Sequence, residues 1–143
     1  MGETKRLKGR GITHGRATAE AVVSKSAFGF FGAVDPQTGV VCDKRHELYG
    51  RRIAGKVLVF PEGRGSTGGA LYMLELARCG TAPAAIVNTV TEPILATGAI
   101  LAEKFYKTVI PVVDRLGPDA MGELTDGARV TVDADGGEVR IER

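Results

Sequence analysis

The feature that most constrains this chain is a central run in which strand-like apolar segments alternate with helix-like ones. Lys56 to Phe60 (Lys-Val-Leu-Val-Phe) is apolar almost throughout, the mark of a buried-type strand. Pro61-Glu62-Gly63-Arg64-Gly65-Ser66-Thr67-Gly68-Gly69 follows as a glycine-rich loop. Ala70 to Cys79 then reads as a helix, with Leu71, Leu74, Ala77 and Arg78 at helical spacing and Gly80 as its stop. Ala84 to Asn88 is a second buried strand. Thr91 is the expected N-cap of a helix from Ile94 to Phe105, with Pro93 in its first turn, and Val109 to Val113 is a third strand. Strand–helix–strand–helix–strand predicts a small parallel sheet with right-handed crossovers.

The flanks read as β-structure. Leu7 to Ile12 and Ala17 to Val23 are short apolar runs around Thr13-His14-Gly15, and Gly39 to Asp43 is read as a further short strand. Phe28 to Pro36 is a loop bent by glycines, with Pro36 barring a continuing ladder. At the far end, Arg129-Val130-Thr131-Val132 and Glu138-Val139-Arg140-Ile141 alternate as a hairpin across Asp135-Gly136-Gly137. The expected fold is α/β, a mixed β/β/α domain with a small parallel central sheet and flanking strands, one unit over residues 1–143.

Charge and composition exclude several classes. A net charge of +2 with one short basic run, Lys5, Arg6, Lys8 and Arg10, is read as a solvated edge and not a nucleic-acid interface. No apolar run approaches the roughly 20 residues a membrane helix needs, and the charged start lacks a signal peptide, so the expected location is cytoplasmic. The only cysteines, Cys42 and Cys79, are far apart and read as buried reduced thiols. Without a CxxC or a Cys/His cluster, no iron–sulfur cluster or structural zinc is expected on this chain alone.

The loop at residues 63–69 is where chemistry is expected. Ligands of parallel α/β sheets bind beyond the carboxyl ends of strands, where helix amino ends present free N–H groups and favour negative charge. Arg64 is suited to clamping a carboxylate or phosphate, and Ser66 or Thr67 stands beside those donors. The loop is neither a Walker A nor a dinucleotide-binding motif. The alternative is that Ser66 or Thr67 only caps the helix, and from the loop alone both readings stand.

Three segments taken together resemble the aconitase X swivelling domain. Phe31-Gly32-Ala33-Val34-Asp35-Pro36-Gln37-Thr38-Gly39 is similar to the family's aromatic-Gly-Gly-Val-Asp-Pro-x-Thr-Gly signature, with Ala33 in place of a glycine. Gly55 to Pro61 running into Gly63-Arg64-Gly65-Ser66 resembles its strand and serine loop. Ala82 to Val87, Ala96 to Ile100 and Ile110 to Val113 resemble the family's stretch downstream of that loop. The resemblance covers about residues 7–116, with the hairpin region 117–143 beyond it. It implies a swivelling β/β/α small subunit of a dehydratase whose large aconitase X partner carries an iron–sulfur cluster. There the cluster acts as Lewis acid on the departing hydroxyl of a small hydroxy acid, and a small-part serine takes the neighbouring proton. Carried over, the base is Ser66; Arg64, Gly65, Thr67 and Gly68 shape the substrate loop, and Gly32 and Asp35 face the shared cleft. The family's substrates include phosphomevalonate and cis-3-hydroxyproline; Asp43 to Leu48 and the long tail lean toward the second.

Other readings compete. Asp35 before Pro36 is also an ordinary turn residue. Phe28, Phe30 and Phe31 suit a core or a partner surface. His46 is read as a surface residue of a charged loop. His14 supports a rival, a phosphohistidine-type swivelling carrier, and a third possibility is a scaffold subunit in which Ser66 has no chemical role.

Overall fold

A computed structural model of the chain describes residues 4–63 and 67–142. In chain order the elements are β1 (Thr4–Lys8), β2 (Arg10–Gly11), β3 (Arg16–Val23), β4 (Val57–Glu62), α1 (Thr67–Cys79), β5 (Ala85–Val90), α2 (Pro93–Tyr106), β6 (Val112–Asp114), α3 (Pro118–Gly122), β7 (Arg129–Asp133) and β8 (Glu138–Glu142). The central expectation holds: β4, β5 and β6 lie parallel, with Leu58 beside Ile86 and Ile86 beside Val112. β3 extends the parallel set through Ala21 to Val23 against Val57 to Val59.

The apolar runs are continuous because both faces of these strands are covered. Val22, Leu58, Phe60, Ile86 and Val112 point to one side, where α1, α2 and the segment 28–53 pack on them. Ala21, Val57, Val59, Ala85, Val87 and Val113 point to the other, onto Leu7, Val130, Val132, Val139 and Ile141 of an antiparallel layer. The result is three layers, β/β/α. Each fully buried large side chain in them contributes about 1.5–3 kcal/mol of transfer free energy.

The antiparallel layer is β1-β8-β7-β3, and β3 belongs to both layers. Its first half, Arg16 to Glu20, pairs with β7, and its second half turns to β4. At the other side of the parallel set, β2 pairs antiparallel with β6. β1 and β2 therefore stand at opposite ends of the strand order although only Gly9 separates them. The backbone crosses between layers there, with the Gly9 N–H donating to Gly137 O at 2.7 Å. A Cβ on Gly9 would lie 2.3 Å from Asp114 O, and one on Gly11 would lie 1.8 Å from Ala134 O, so neither position admits a side chain.

Several local expectations are corrected. The buried stripe of α1 is Ala70, Met73, Leu76 and Ala77, whereas Leu71 and Arg78 face outward. β6 begins only after Pro111, which has no N–H for a ladder. Residues 39–43 form isolated bridges, Val40 with Arg52 and Val41 with Val34, and no strand. α3 was not expected. His46 is buried: its Nε2 donates to Ala27 O at 3.0 Å, its Nδ1 accepts from the Leu48 N–H, and its ring meets Phe28 edge-on. Two backbone bonds fix its tautomer and make it a packing residue of the 28–53 segment. Cys42 is exposed and Cys79 half-buried. Gly80 ends α1 as expected, at φ 74°, and β7–β8 form the expected hairpin at the centre of the antiparallel layer.

Candidate functional site

β4 and β5 both end on the same edge of the sheet, and the two long helices start from that edge. Thr67 opens α1 and Pro93 opens α2, so two helix amino ends lie side by side at the strand carboxyl ends. Arg64, Gly65 and Ser66 lie outside the described residues. Their neighbours Gly63 and Gly68 define the surroundings.

The aromatic segment borders this edge. Phe28 donates its N–H to Glu62 O at 3.1 Å and bridges Gly63 in parallel. Phe28 and Phe30 are buried, stacking edge-on at 5.0 Å, and Phe28 leans on Phe60 at 5.6 Å. Phe31 is 66% exposed. Its ring lies on the first turn of α1: a Cβ at Gly68 would be 2.6 Å from Phe31 Cδ2, and the ring meets Tyr72 edge-on at 5.7 Å. Gly32, at φ 67°, permits the turn that sets the ring there.

Of the residues expected to share a site, the structure thus brings Gly32 to Gly68 through Phe31. It does not bring Asp35. The Asp35 Oδ1 accepts the Gln37 N–H at 2.9 Å, its carbonyl accepts from Thr38 and Gly39, and the adjoining Pro36 O accepts from Thr81 Oγ1 at 2.6 Å. Thr81 follows the carboxyl end of α1, roughly 18 Å along the helix from its start at 1.5 Å per residue. Asp35 therefore has the bonds of a turn residue.

Sequence reasoning missed Glu92. It, and not Thr91, caps α2: its two carboxylate oxygens accept from Ile94 N at 2.8 Å and Leu95 N at 2.7 Å. The signal was the proline, since Pro93 at the first helical position makes the preceding residue the cap. Glu92 also abuts the loop, its Oε1 3.1 Å from where a Gly63 Cβ would stand. Between the helix starts is a cavity of about 20 Å³, walled by Phe28, Phe60, Met73, Ile94 and Leu95, with Gly29, Gly63, Gly69 and Glu92 also lining it.

Thr91 is used elsewhere. Its N–H donates to Asp114 Oδ2 at 2.7 Å, and its hydroxyl reaches Oδ1 of the buried Asn88, whose amide donates to Phe60 O. Asp114 is fully buried and gripped bidentately by Arg10, at 3.0 and 2.9 Å. Burial alone would raise the Asp114 pKa; the Arg10 hydrogen bonds and the Thr91 N–H outweigh it and hold the carboxyl below its usual range. Arg10, one of the supposed solvated-edge residues, in fact locks β2 to β6.

His14 is exposed and pairs with Glu103 at 2.5 Å. Glu103 lies ten residues along α2 from Pro93, which is about 15 Å, so His14 sits at the opposite edge from the loop. Among the described residues, no group of three or more His, Cys, Asp or Glu side chains is placed to hold a metal ion. The donor set here does not fit an iron–sulfur cluster. No helix of the described residues is long and apolar enough to cross a membrane.

A three-layer β/β/α domain with its open edge at two helix starts defines the class. Within that class, residues 6–141 match the model of the aconitase X swivel domain, and the chain belongs to that family. It is 46% identical over 135 residues to the phosphomevalonate dehydratase small subunit of Methanocella arvoryzae, covering 94% of this chain and 98% of the relative. The protein of the same name from Thermococcus kodakarensis is 46% identical over 136 residues, 95% of this chain and 96% of that one. The holo-form crystal structure of Thermococcus kodakaraensis aconitase X superposes with a TM-score of 0.86 at 44% identity, over 96% of this chain and 98% of that one. The matched region takes in the carboxyl-terminal hairpin, further than the motifs alone reached. Relatives of matching length are thus small subunits of a dehydratase.

Proposed function

We propose that this chain is the small subunit of a dehydratase acting on phosphomevalonate, in a site completed by a large aconitase X subunit, with Ser66 as the base. The observation that carries the reading is the end-to-end likeness to small subunits named for that dehydratase. Those names favour phosphomevalonate over the hydroxyproline to which the charged loop and tail lean. The iron–sulfur cluster belongs, in this reading, to the large subunit, and no step on this chain runs through it.

Phosphomevalonate is a 3-hydroxy acid, so loss of water takes a proton from C2, beside the carboxylate, and the hydroxyl from C3. Ser66 takes the C2 proton onto its oxygen, and the electron pair left behind forms the double bond as the hydroxyl departs. A serine oxygen is a poor base in water. The N–H groups at the start of α1, which follows it in sequence, and the guanidinium of Arg64, two positions before it, would stabilise its anionic form. Arg64 and the backbone N–H groups of Gly65, Thr67 and Gly68 suit an anionic end of the substrate. Gly32 shapes the rim through Phe31. We place the complex in the cytoplasm, where its thiols stay reduced.

The test is anaerobic co-expression with the cognate large subunit, followed by assays of water loss from phosphomevalonate and from cis-3-hydroxyproline. Turnover of phosphomevalonate is expected, with Ser66→Ala lowering kcat by about 10²–10⁴-fold in a complex that still assembles. Unchanged turnover in Ser66→Ala would establish the scaffold reading instead, and turnover of hydroxyproline alone would move the chain to the other branch.

A further inference from the structure

On the face of the parallel sheet away from α1 and α2, the strand carboxyl ends border a groove of about 290 Å³. Val23, Val59, Pro61 and Thr89 line it from β3, β4 and β5, and Met121 and Leu124 from α3 and the segment after it. Pro61 and Thr89 follow Val59 and Val87 by two positions, so they continue the apolar face that packs on the antiparallel layer. Among the described residues, none of β1, β7 or β8 lines the groove. One short helix stands here in place of that layer, and the cover is incomplete.

The polar groups of the lining are largely engaged. The Ser24 N–H donates to Val59 O at 2.8 Å, the Ser24 hydroxyl donates to Ser26 O at 2.9 Å, and the Thr89 carbonyl accepts from the Arg115 N–H. No carboxylate lines the groove, and its one ionisable side chain is the exposed Lys25. An apolar cavity of about 150 Å³ already holds a benzene ring, so this one has room for a large aliphatic or aromatic side chain.

In the dehydratase reading a large subunit closes over the strand carboxyl edge, and relatives matching this chain nearly end to end are small subunits. The groove lies on that edge: Pro61 stands in its wall, two residues before Gly63 and the serine loop. The outer face of the antiparallel layer is a poorer interface. Arg16, Asp133 and Glu138 lie across it in one row and Glu20, Arg129 and Glu142 in another, whereas interface cores are depleted of charge. We infer that the groove beside α3 docks the large subunit by taking one apolar anchor side chain from it. The inference rests on the dehydratase reading and deepens it.

The experiment takes the co-expressed, anaerobically purified complex and reads its dissociation constant by sedimentation across a dilution series, beside turnover of phosphomevalonate. Thr89 is exposed, so Thr89→Arg brings a charge to the groove wall without disturbing the core; the constant should rise at least about 30-fold, as for a lost hot spot. Met121→Ala, which removes part of the wall, should raise it about tenfold. Thr89→Val, apolar and equally suited to a strand, should leave it unchanged or lower. Phe105→Arg, at a residue 63% exposed near the far end of α2, should change it by less than about threefold. If wild type assembles and is active but Thr89→Arg assembles as tightly, or Thr89→Val or Phe105→Arg weakens it as much, the inference fails while the dehydratase reading stands. It fails equally if Thr89→Arg only splits a pair of small subunits and leaves their hold on the large subunit intact, because the groove then belongs to a second copy. If wild type binds no large subunit, both fail.

Discussion

Two groups of glycines show how one residue type serves opposite ends of this molecule. At the seam where β1 passes into β2, Gly9, Gly11 and Gly137 are squeezed by backbone: added Cβ atoms would lie 2.3, 1.8 and 2.9 Å from carbonyl oxygens of Asp114, Ala134 and Gly9. At the open edge, among the described residues, Gly68 faces the exposed ring of Phe31, Gly63 faces the Glu92 side chain, and Gly32 and Gly69 meet no atom within 4 Å. The seam glycines let chains touch. The edge glycines keep a surface clear. Loss of the first should appear in stability, and loss of the second in chemistry.

The sharpest way to break this contrast is Gly11→Ala, because a carbonyl oxygen cannot move aside as a side chain can. It should cost at least ~3 kcal/mol or abolish folding, measured by urea denaturation. Next is Asp114→Asn at the same seam, which leaves the Arg10 grip and the Thr91 N–H without their charged acceptor. A loss of ~2–3 kcal/mol is expected. The folded carboxyl titrates below its ordinary value, so its contribution is complete above about pH 4 and is lost as pH falls through the folded pKa. Thermal unfolding of Asp114→Asn should therefore fall less steeply than wild type on the acid side.

At the open edge the stability effects should be small. Gly68→Ala sets helix propensity, up to ~1 kcal/mol in its favour, against displacement of the Phe31 ring. Its net should lie near zero and become stabilising in a Phe31→Ala background, a coupling that a double-mutant cycle reads directly. Gly69→Ala should leave the chain unchanged or up to ~1 kcal/mol more stable. A destabilisation as large as that at Gly11 would end the distinction between the two groups.

The parallel core was legible because strands buried on both faces write themselves as unbroken apolar runs: Val57 to Phe60 and Ala85 to Val87 could be little else. The pairing of the flanks was not. Nothing in Arg16 to Val23 says that one strand serves two layers, because that depends on partners more than a hundred residues away in β7. Local pattern also misjudged polar residues with distant partners. Thr91 looked like a cap until Asp114 and Asn88 claimed its N–H and hydroxyl, and His46 looked exposed until Ala27 and Phe28 enclosed it. At the candidate site the aromatic segment was legible from its motif, but the loop was drawn too long: Pro61 and Glu62 end β4, and Thr67, Gly68 and Gly69 already belong to α1. Glu92, the cavity between the helix starts and the place of Phe31 on Gly68 arise only when separate segments meet.

The crossing at Gly9 also orders events in time. β1 pairs with β8, Thr4 opposite Glu142, so its partner is made almost a whole chain later. During synthesis at about 5–20 residues per second, β1 waits roughly 7–28 s for its partner to be made. β4 to β6 and their helices need only near neighbours and can condense meanwhile. β1, translated before its partner, is therefore placed after the central strands, and until this segment docks, the edges of β6 and β8 stand open to any stray strand.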